Sequence, residues 1–226
     1  MDRIVSMLEL QQELNDSTNG LDWEDGLTKD GKIIDWKRCI FLEGAELINS
    51  YPWKHWKNIN SSADYENIKI ECVDIWHFVM SEALKEYKLF ELGNISTLAS
   101  DIVSSVEYKM FKEELTIKRD IYAEIKSVEN MIATLFTSNN VHTLMGAFFE
   151  MSLNLGVNIE TLYSLYIGKN ILNIFRQDNG YKEGTYIKIW NGLEDNVVMQ
   201  SILEQDNSIS PKQLYFALQS KYPKNM

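Results

Sequence analysis

The sequence predicts an all-α protein, and three observations support this fold class. The 226-residue chain contains three prolines, Pro52, Pro211 and Pro223, so long tracts lack the residue that most strongly disrupts helices. Apolar residues recur at three- and four-residue steps through most of the chain, as on the buried face of a helix. Strand-like alternation extends no further than YIKIW at 186–190. We therefore expect one helical bundle domain over residues 1–226.

Each predicted helix has its own periodicity and its own end signals. In the first predicted helix, Ile4, Val5 and Leu8 are spaced close to the helical period, and Ser-Thr-Asn-Gly ends the helix. The second predicted helix ends before Pro52, which prevents its continuation. Two glycine-containing segments, 20–32 and 178–196, are predicted to be loops. The predicted helices cover approximately residues 2–15, 35–49, 63–87, 96–115, 117–137, 141–156, 158–177, 194–205 and 210–222.

The composition excludes several classes of protein. A formal charge of −11 and a pI near 4.8 disfavour binding to a nucleic-acid polymer, which depends on Lys and Arg to neutralise phosphates. No segment reaches the roughly 18 apolar residues of a membrane span. Two cysteines, Cys39 and Cys72, are too few for a disulfide framework. A cytoplasmic protein is therefore expected.

Two acidic pairs interrupt apolar helical segments. Glu43 and Glu46 lie within FLEGAELI, and Glu71 and Asp74 lie within IECVDIWHF. Residues three apart on a helix differ by about 60° in direction, so each pair shares one face. Because the surrounding residues are apolar, we expect these segments to be core and the acids to point where water is scarce. These two segments form the predicted helix pair around which the bundle is built.

Burial of four carboxylates requires a positive charge between them. Burying an ionised carboxylate without a partner destabilises the folded state by several kcal/mol, and neighbouring carboxylates also repel one another. Mg²⁺ fits, because it prefers oxygen ligands and commonly binds a few carboxylates together with waters and substrate phosphates. Two or more such ions would activate a water molecule and hold phosphate oxygens.

Other interpretations of the acidic pairs remain open at this point. An isolated E-x-x-E on a helix is usually an ordinary solvated face. A di-iron carboxylate bundle is a second alternative, but it uses paired Glu-x-x-His motifs, which the three histidines of this chain do not form. His77, one turn after Asp74, either orients that carboxylate or is a hydrogen-bonded core histidine.

The acidic motifs also resemble those of a known superfamily. E-x-x-E, about 25 residues and then E-x-x-D are similar to the metal motif of the all-α nucleoside triphosphate pyrophosphohydrolases, which include MazG-like proteins and dimeric dUTPases. Three further stretches, LQQELNDSTNG, NSYPWKHWKN and YIGKNILNIFRQDNGYKEGTYIKIWNGLEDN, resemble the dimeric dUTPase family specifically. Together these stretches span most of the chain.

The resemblance implies a role for each matching residue. The matches to the Mg²⁺ ligands are Glu43, Glu46, Glu71 and Asp74, and an acid of the first pair would also help to deprotonate the attacking water. The matches to the base- and sugar-binding positions are Gln12, Asn15, Trp53, His55 and Asn173. The matches to the phosphate-binding positions are Lys169, Arg176, Tyr181 and Lys182. The family often has Trp at the position of His55, so this chain departs from the pattern there.

The spacing of two of these sets agrees with the implied roles. Gln12 and Asn15 are three residues apart and share a helix face, and amides offer both donors and acceptors to a pyrimidine. Lys169 and Arg176 are seven residues apart, again on one face, and Arg is suited to bidentate phosphate contacts. The alternative for Lys169 and Arg176 is that they are ordinary surface cations near a helix end.

The activity implied by the resemblance is Mg²⁺-dependent hydrolysis of dUTP to dUMP and pyrophosphate, with possible action on dUDP. Such an enzyme keeps uracil out of DNA and supplies dUMP, and the resemblance also implies a homodimer. One alternative is an all-α pyrophosphohydrolase for another, non-canonical nucleotide, which would keep the acids but not need the amide pair. Another is a helical interaction protein that binds nucleotide or metal without catalysis.

Overall fold

The computed structural model describes residues 2–57, 61–113, 119–206 and 209–223, and it confirms the all-α fold class. The described residues form ten α-helices, one turn of 3-10 helix at Trp23–Asp25 and one two-stranded sheet. The helices are α1 Asp2–Asn19, α2 Trp36–Asn49, α3 Tyr65–Leu89, α4 Ile95–Ser104, α5 Val106–Lys112, α6 Ile121–Thr137, α7 Val141–Asn154, α8 Ile159–Asp178, α9 Asp195–Gln205 and α10 Pro211–Lys221. The strands are β1 Ile189–Trp190 and β2 Leu193–Glu194.

Polar caps determine where most of the helices begin. At seven of them, the side chain of the residue before the helix accepts a hydrogen bond from a backbone N–H of the first turn, which would otherwise lack a helical partner. These residues are Asp35, Asp64, Asn94, Ser105, Asp120, Asn140 and Ser210. The caps fix the register of each helix face, and therefore which residues face the core.

The chain folds as two compact units, Met1–Leu162 and Tyr163–Met226. In the first unit, α3 packs against α1, α2 and α7 and is buried over most of its circumference. Trp76 of α3 stacks on Phe148 of α7, with ring centroids 4.7 Å apart. Gly44 lets α2 approach α6, because a Cβ at this position would lie 2.8 Å from Ile132 Cδ1. The prediction of one domain over 1–226 stays a prediction.

The second unit is organised around Phe175 of α8. The Phe175 ring meets the rings of Trp190, Tyr215 and Tyr222, with centroids between 5.3 and 5.7 Å apart. Strands β1 and β2 pair antiparallel and carry Trp190 into this aromatic cluster. The second unit therefore has its own aromatic core.

The structure differs from the sequence expectation in three places. The helix predicted over 96–115 is two helices, because Ser105 ends α4 in an extended conformation and caps α5. The end of that prediction at 114–115, and the start of the next at 117–118, lie outside the described residues. The predicted loop 178–196 contains the β1–β2 hairpin, whose turn has φ 51° at Asn191 and 86° at Gly192.

The third difference concerns the apolar run around the first acidic pair, which is only partly core. Leu47 is fully buried, but Phe41 and Leu42 are 41% and 53% exposed. The run places apolar residues on two faces of its helix, and its periodicity does not show which of these faces packs against the rest of the protein. The expectation that this whole run is core is therefore wrong.

Candidate functional site

Three of the four predicted acids converge between α2 and α3. One carboxylate oxygen from each of Glu43, Glu46 and Glu71 lies within 4.8 Å of the others. The helix pair brings them together because Glu43 and Glu46 share one face of α2, which packs closely along α3. The fourth acid, Asp74, is half-buried three residues after Glu71 on α3.

The three clustered carboxylates differ in their access to solvent. Glu71 is 8% exposed and Glu43 is half-buried, whereas Glu46 is exposed. The expectation that the acids lie where water is scarce holds for Glu71 and is wrong for Glu46, which lies at the open end of the group. The group is therefore an acidic site open to solvent on one side.

The thiol of Cys39 is affected by one of these acids. Burial, together with the negative charges of Glu43 and Asp35, raises the pKa of the Cys39 thiol above its ordinary value.

The amides of α1 divide between two hydrogen-bond networks. Gln12 Nε2 donates to Asp16 Oδ1 at 2.9 Å and to Glu24 Oε1 at 3.0 Å, which ties α1 to the loop that follows it. Asn15 Nδ2 donates to Ser81 Oγ on α3 at 3.0 Å. Gln12 and Asn15 share the expected helix but contact different partners.

Gln11 is the glutamine that contacts Asn15, and the sequence analysis did not single it out. Its Nε2 lies 3.2 Å from Asn15 Oδ1 and 3.0 Å from Ser81 Oγ. Its Oε1 lies 2.6 Å from Nδ1 of His77, which is a buried histidine of α3. Partners 66 and 70 residues away are not readable from a local pattern, and the spacing of Gln11 and Asn15, four residues, is the signal that could have found this pair.

The segment after α2 presents exposed aromatic rings. Trp53 is 38% and Trp56 is 62% exposed, and their ring centroids lie 5.7 Å apart in an edge-on arrangement. The His55 ring lies 4.8 Å from Trp56. Both predicted residues, Trp53 and His55, therefore belong to one exposed cluster, and Trp56 is a member that the prediction did not include.

In the second unit, the predicted cations are held by residues that follow the hairpin. The Arg176 guanidinium makes a bidentate contact with Asp195, at 2.8 Å from both Nε and Nη2, and also donates to Asn173 Oδ1 at 3.1 Å. Lys169 Nζ donates to Asn196 Oδ1 at 3.1 Å. Lys169 is 3% exposed, and the Arg176 side chain is 11% exposed. Neither residue is an ordinary surface cation.

Asp195 is the centre of this arrangement and was not identified from the sequence. Its side chain is fully buried, accepts a hydrogen bond from Tyr186 Oη at 2.8 Å and pairs with Arg176. Burial alone would raise its pKa, but the hydrogen bonds and charge of Arg176, helped by Tyr186, hold the pKa below its ordinary value. Asp195 is therefore the anion that balances Arg176.

The two remaining predicted phosphate ligands lie in the turn after α8. Tyr181 is 50% exposed, and the Arg176 guanidinium lies 5.9 Å from the centre of its ring. Lys182 is exposed. Both side chains extend from a turn that Gly180 and Gly184 shape with positive φ values of 87° and 70°.

Fold and site together define a class, an all-α protein with clustered carboxylates on one pair of helices. A family model described as dUTPase matches residues 3–181, which include α1 from its second residue and all of α2 to α8. The chain therefore belongs to the all-α dUTPase family, a family of dUTP diphosphatases. A comparison with curated proteins gives no match. None of the helices in the described part of the chain combines the length and apolar character needed to cross a membrane.

Proposed function

We propose that this enzyme hydrolyses dUTP to dUMP and pyrophosphate, and that it also accepts dUDP. The observation that carries the proposal is the convergence of Glu43, Glu46 and Glu71 within 4.8 Å on two helices of a chain that matches the dUTPase family. The family match favours dUTP over a non-canonical nucleotide as the substrate.

The acidic group fits Mg²⁺ by the chemistry of its donors. Carboxylate oxygens are hard ligands, and a partly open group leaves positions for waters and substrate phosphates, which Mg²⁺ commonly retains. The proposed ligands are Glu43, Glu46, Glu71 and Asp74, which would hold two or more ions. When bound, Mg²⁺ would supply charge neutralisation for phosphate oxygens and a water of lowered pKa.

The residues of the chain then have separate tasks. Glu46, exposed at the open end of the group, or its neighbour Glu43 accepts the proton of the attacking water. The proposed phosphate ligands are Lys169, Arg176, Tyr181 and Lys182. The cations of this set, Lys169, Arg176 and Lys182, offset the negative charge that develops on the phosphate chain.

The proposed base and sugar ligands are Gln12, Asn15, Trp53, His55 and Asn173. Support comes from the donor and acceptor groups of the amides and from the exposed rings, which offer a stacking surface. Gln12 is half-buried, and its Nε2 is held by Asp16 and Glu24. Gln11 is 2% exposed and its amide already contacts Asn15, Ser81 and His77, so it supports Asn15 and is not itself proposed as a base ligand.

The first measurement is a product analysis by ion-exchange chromatography. Purified protein is incubated with dUTP, dUDP, dTTP, dCTP, dATP and UTP, each with Mg²⁺ and with EDTA. We expect Mg²⁺-dependent release of dUMP from dUTP, with dTTP and UTP left largely intact. Cleavage of another triphosphate in place of dUTP would contradict the specificity, and equal turnover in EDTA would contradict the metal requirement.

We further propose a cytoplasmic homodimer that binds no nucleic-acid polymer. Support for the dimer comes from the exposed apolar side chains of Phe41 and Leu42 on α2 and of Phe136 on α6, which is 71% exposed. Free thiols at Cys39 and Cys72 are compatible with the cytosol. Light scattering after gel filtration should give about twice the chain mass of 26.3 kDa, and a particle of 26.3 kDa would contradict the dimer.

A further inference from the structure

Asn67 links the end of α2 to one of the three clustered carboxylates. Its side-chain Nδ2 donates to Ser50 Oγ, 2.8 Å away, and to Glu71 Oε1, 3.1 Å away. Asn67 precedes Glu71 by four residues on α3, so their side chains are neighbours on one face. Ser50 is the capping residue directly after α2, four residues after Glu46. One amide therefore links the end of α2 to a carboxylate of α3.

Both ends of this link are themselves held in place. Ser50 Oγ donates to Glu46 O at 3.4 Å, so it is available to accept from Asn67. The Asp64 backbone N–H donates to Ser50 O at 2.9 Å, and the Asp64 side chain accepts from the Asn67 backbone N–H at 3.0 Å. The backbone and the side chain of Asn67 are therefore both fixed relative to the end of α2.

We infer that Asn67 is a positioning residue for the metal site, whose amide orients the Glu71 carboxylate toward Glu43 and Glu46; this inference rests on the proposed function. A neutral amide suits this position better than a charged group. A lysine would compete with a bound cation for Glu71, and a carboxylate would add repulsion to a group that is already acidic. Hydrogen-bond partners that orient a ligating carboxylate typically contribute about 10- to 100-fold in metal affinity.

The test is the affinity of the substrate-free protein for Mg²⁺, measured by isothermal titration calorimetry with MgCl₂. Asn67→Ala should weaken binding about tenfold, and Ser50→Ala, which removes the anchor of the amide on α2, should weaken it by less. Asn130→Ala is the matched control, because Asn130 is exposed on α6; its affinity should equal that of the wild type. Thermal melting in EDTA is recorded for every variant.

The outcomes separate this inference from the proposed function. Wild-type protein that binds no Mg²⁺, or Glu71→Gln protein that binds it as the wild type does, would overturn the metal site itself. Unchanged affinity in both Asn67→Ala and Ser50→Ala, with Glu71→Gln impaired, would overturn only the role of Asn67. A lower melting temperature with unchanged affinity would likewise show a purely structural role. If Asn67→Ala does not fold, the affinity of Ser50→Ala decides between these outcomes.

Discussion

Glu71→Gln is expected to lower kcat/KM for dUTP on the order of 100- to 1,000-fold, the scale of losing one preorganised electrostatic group from an active site. The amide keeps the size of the side chain but removes the negative charge that the proposed Mg²⁺ site requires. Glu71 is 8% exposed and its carboxylate lies within 4.8 Å of those of Glu43 and Glu46, so the same change also relieves repulsion in the metal-free protein. Activity should fall while stability without metal stays the same or rises.

The measurement pairs steady-state kinetics with thermal melting in EDTA and in Mg²⁺. A cation that binds only the folded state stabilises it and so raises the melting temperature. At a cation concentration 100 times the dissociation constant, the added free energy of unfolding is about 2.7 kcal/mol. Glu71→Gln should lose most of this increase. The matched control is Glu66→Gln, on the exposed side of α3 and paired with Lys69, which should retain activity. A Glu71→Gln protein that is active, or severely unfolded in EDTA, would indicate a structural role.

The parts of the structure that depend on neighbouring residues could be predicted from the sequence. The helical period located α2 and α3 within about two residues, and the spacing of Glu43 and Glu46 placed them on one face. Asn191-Gly192 is a recognised hairpin signal. Giving this signal more weight than the glycines of 178–196, which suggested a loop, would have predicted β1 and β2. The break at Ser105 was missed because the apolar period continues across it.

The parts that depend on distant residues could not be predicted. The pairing of Gln11 with Ser81 joins residues 70 apart, and that of Arg176 with Asp195 joins residues 19 apart across a turn and a hairpin. Local periodicity contains no information on such contacts, because they depend on how elements pack. The exposure of Phe41 has the same origin, since it depends on which face of α2 other elements cover.

Asp195→Asn is expected to destabilise the second unit by about 3–5 kcal/mol, the cost of breaking a buried ion pair by removing one partner. Asp195 is fully buried, and the Arg176 side chain is only 11% exposed, so water cannot fully replace the lost carboxylate. The Tyr186 hydroxyl also loses a charged acceptor. Hydrogen exchange of peptides from 163–223 reports on this unit. Asp178→Asn is the control, because exposed Asp178 also accepts from a tyrosine, Tyr215, and should cost about 1 kcal/mol or less.

The pH dependence of stability distinguishes the ion pair from simple packing around Asp195. Its pKa is lowered in the folded state from an ordinary value of 3.8, so its charge stabilises folding above pH 3.8. That contribution is lost as the pH falls through the lower, folded pKa. The stability difference between wild type and Asp195→Asn should therefore be largest near neutral pH and should shrink as the pH falls below 3.8. A difference that does not change with pH would mean that the shape of Asp195, and not its charge, supports the fold.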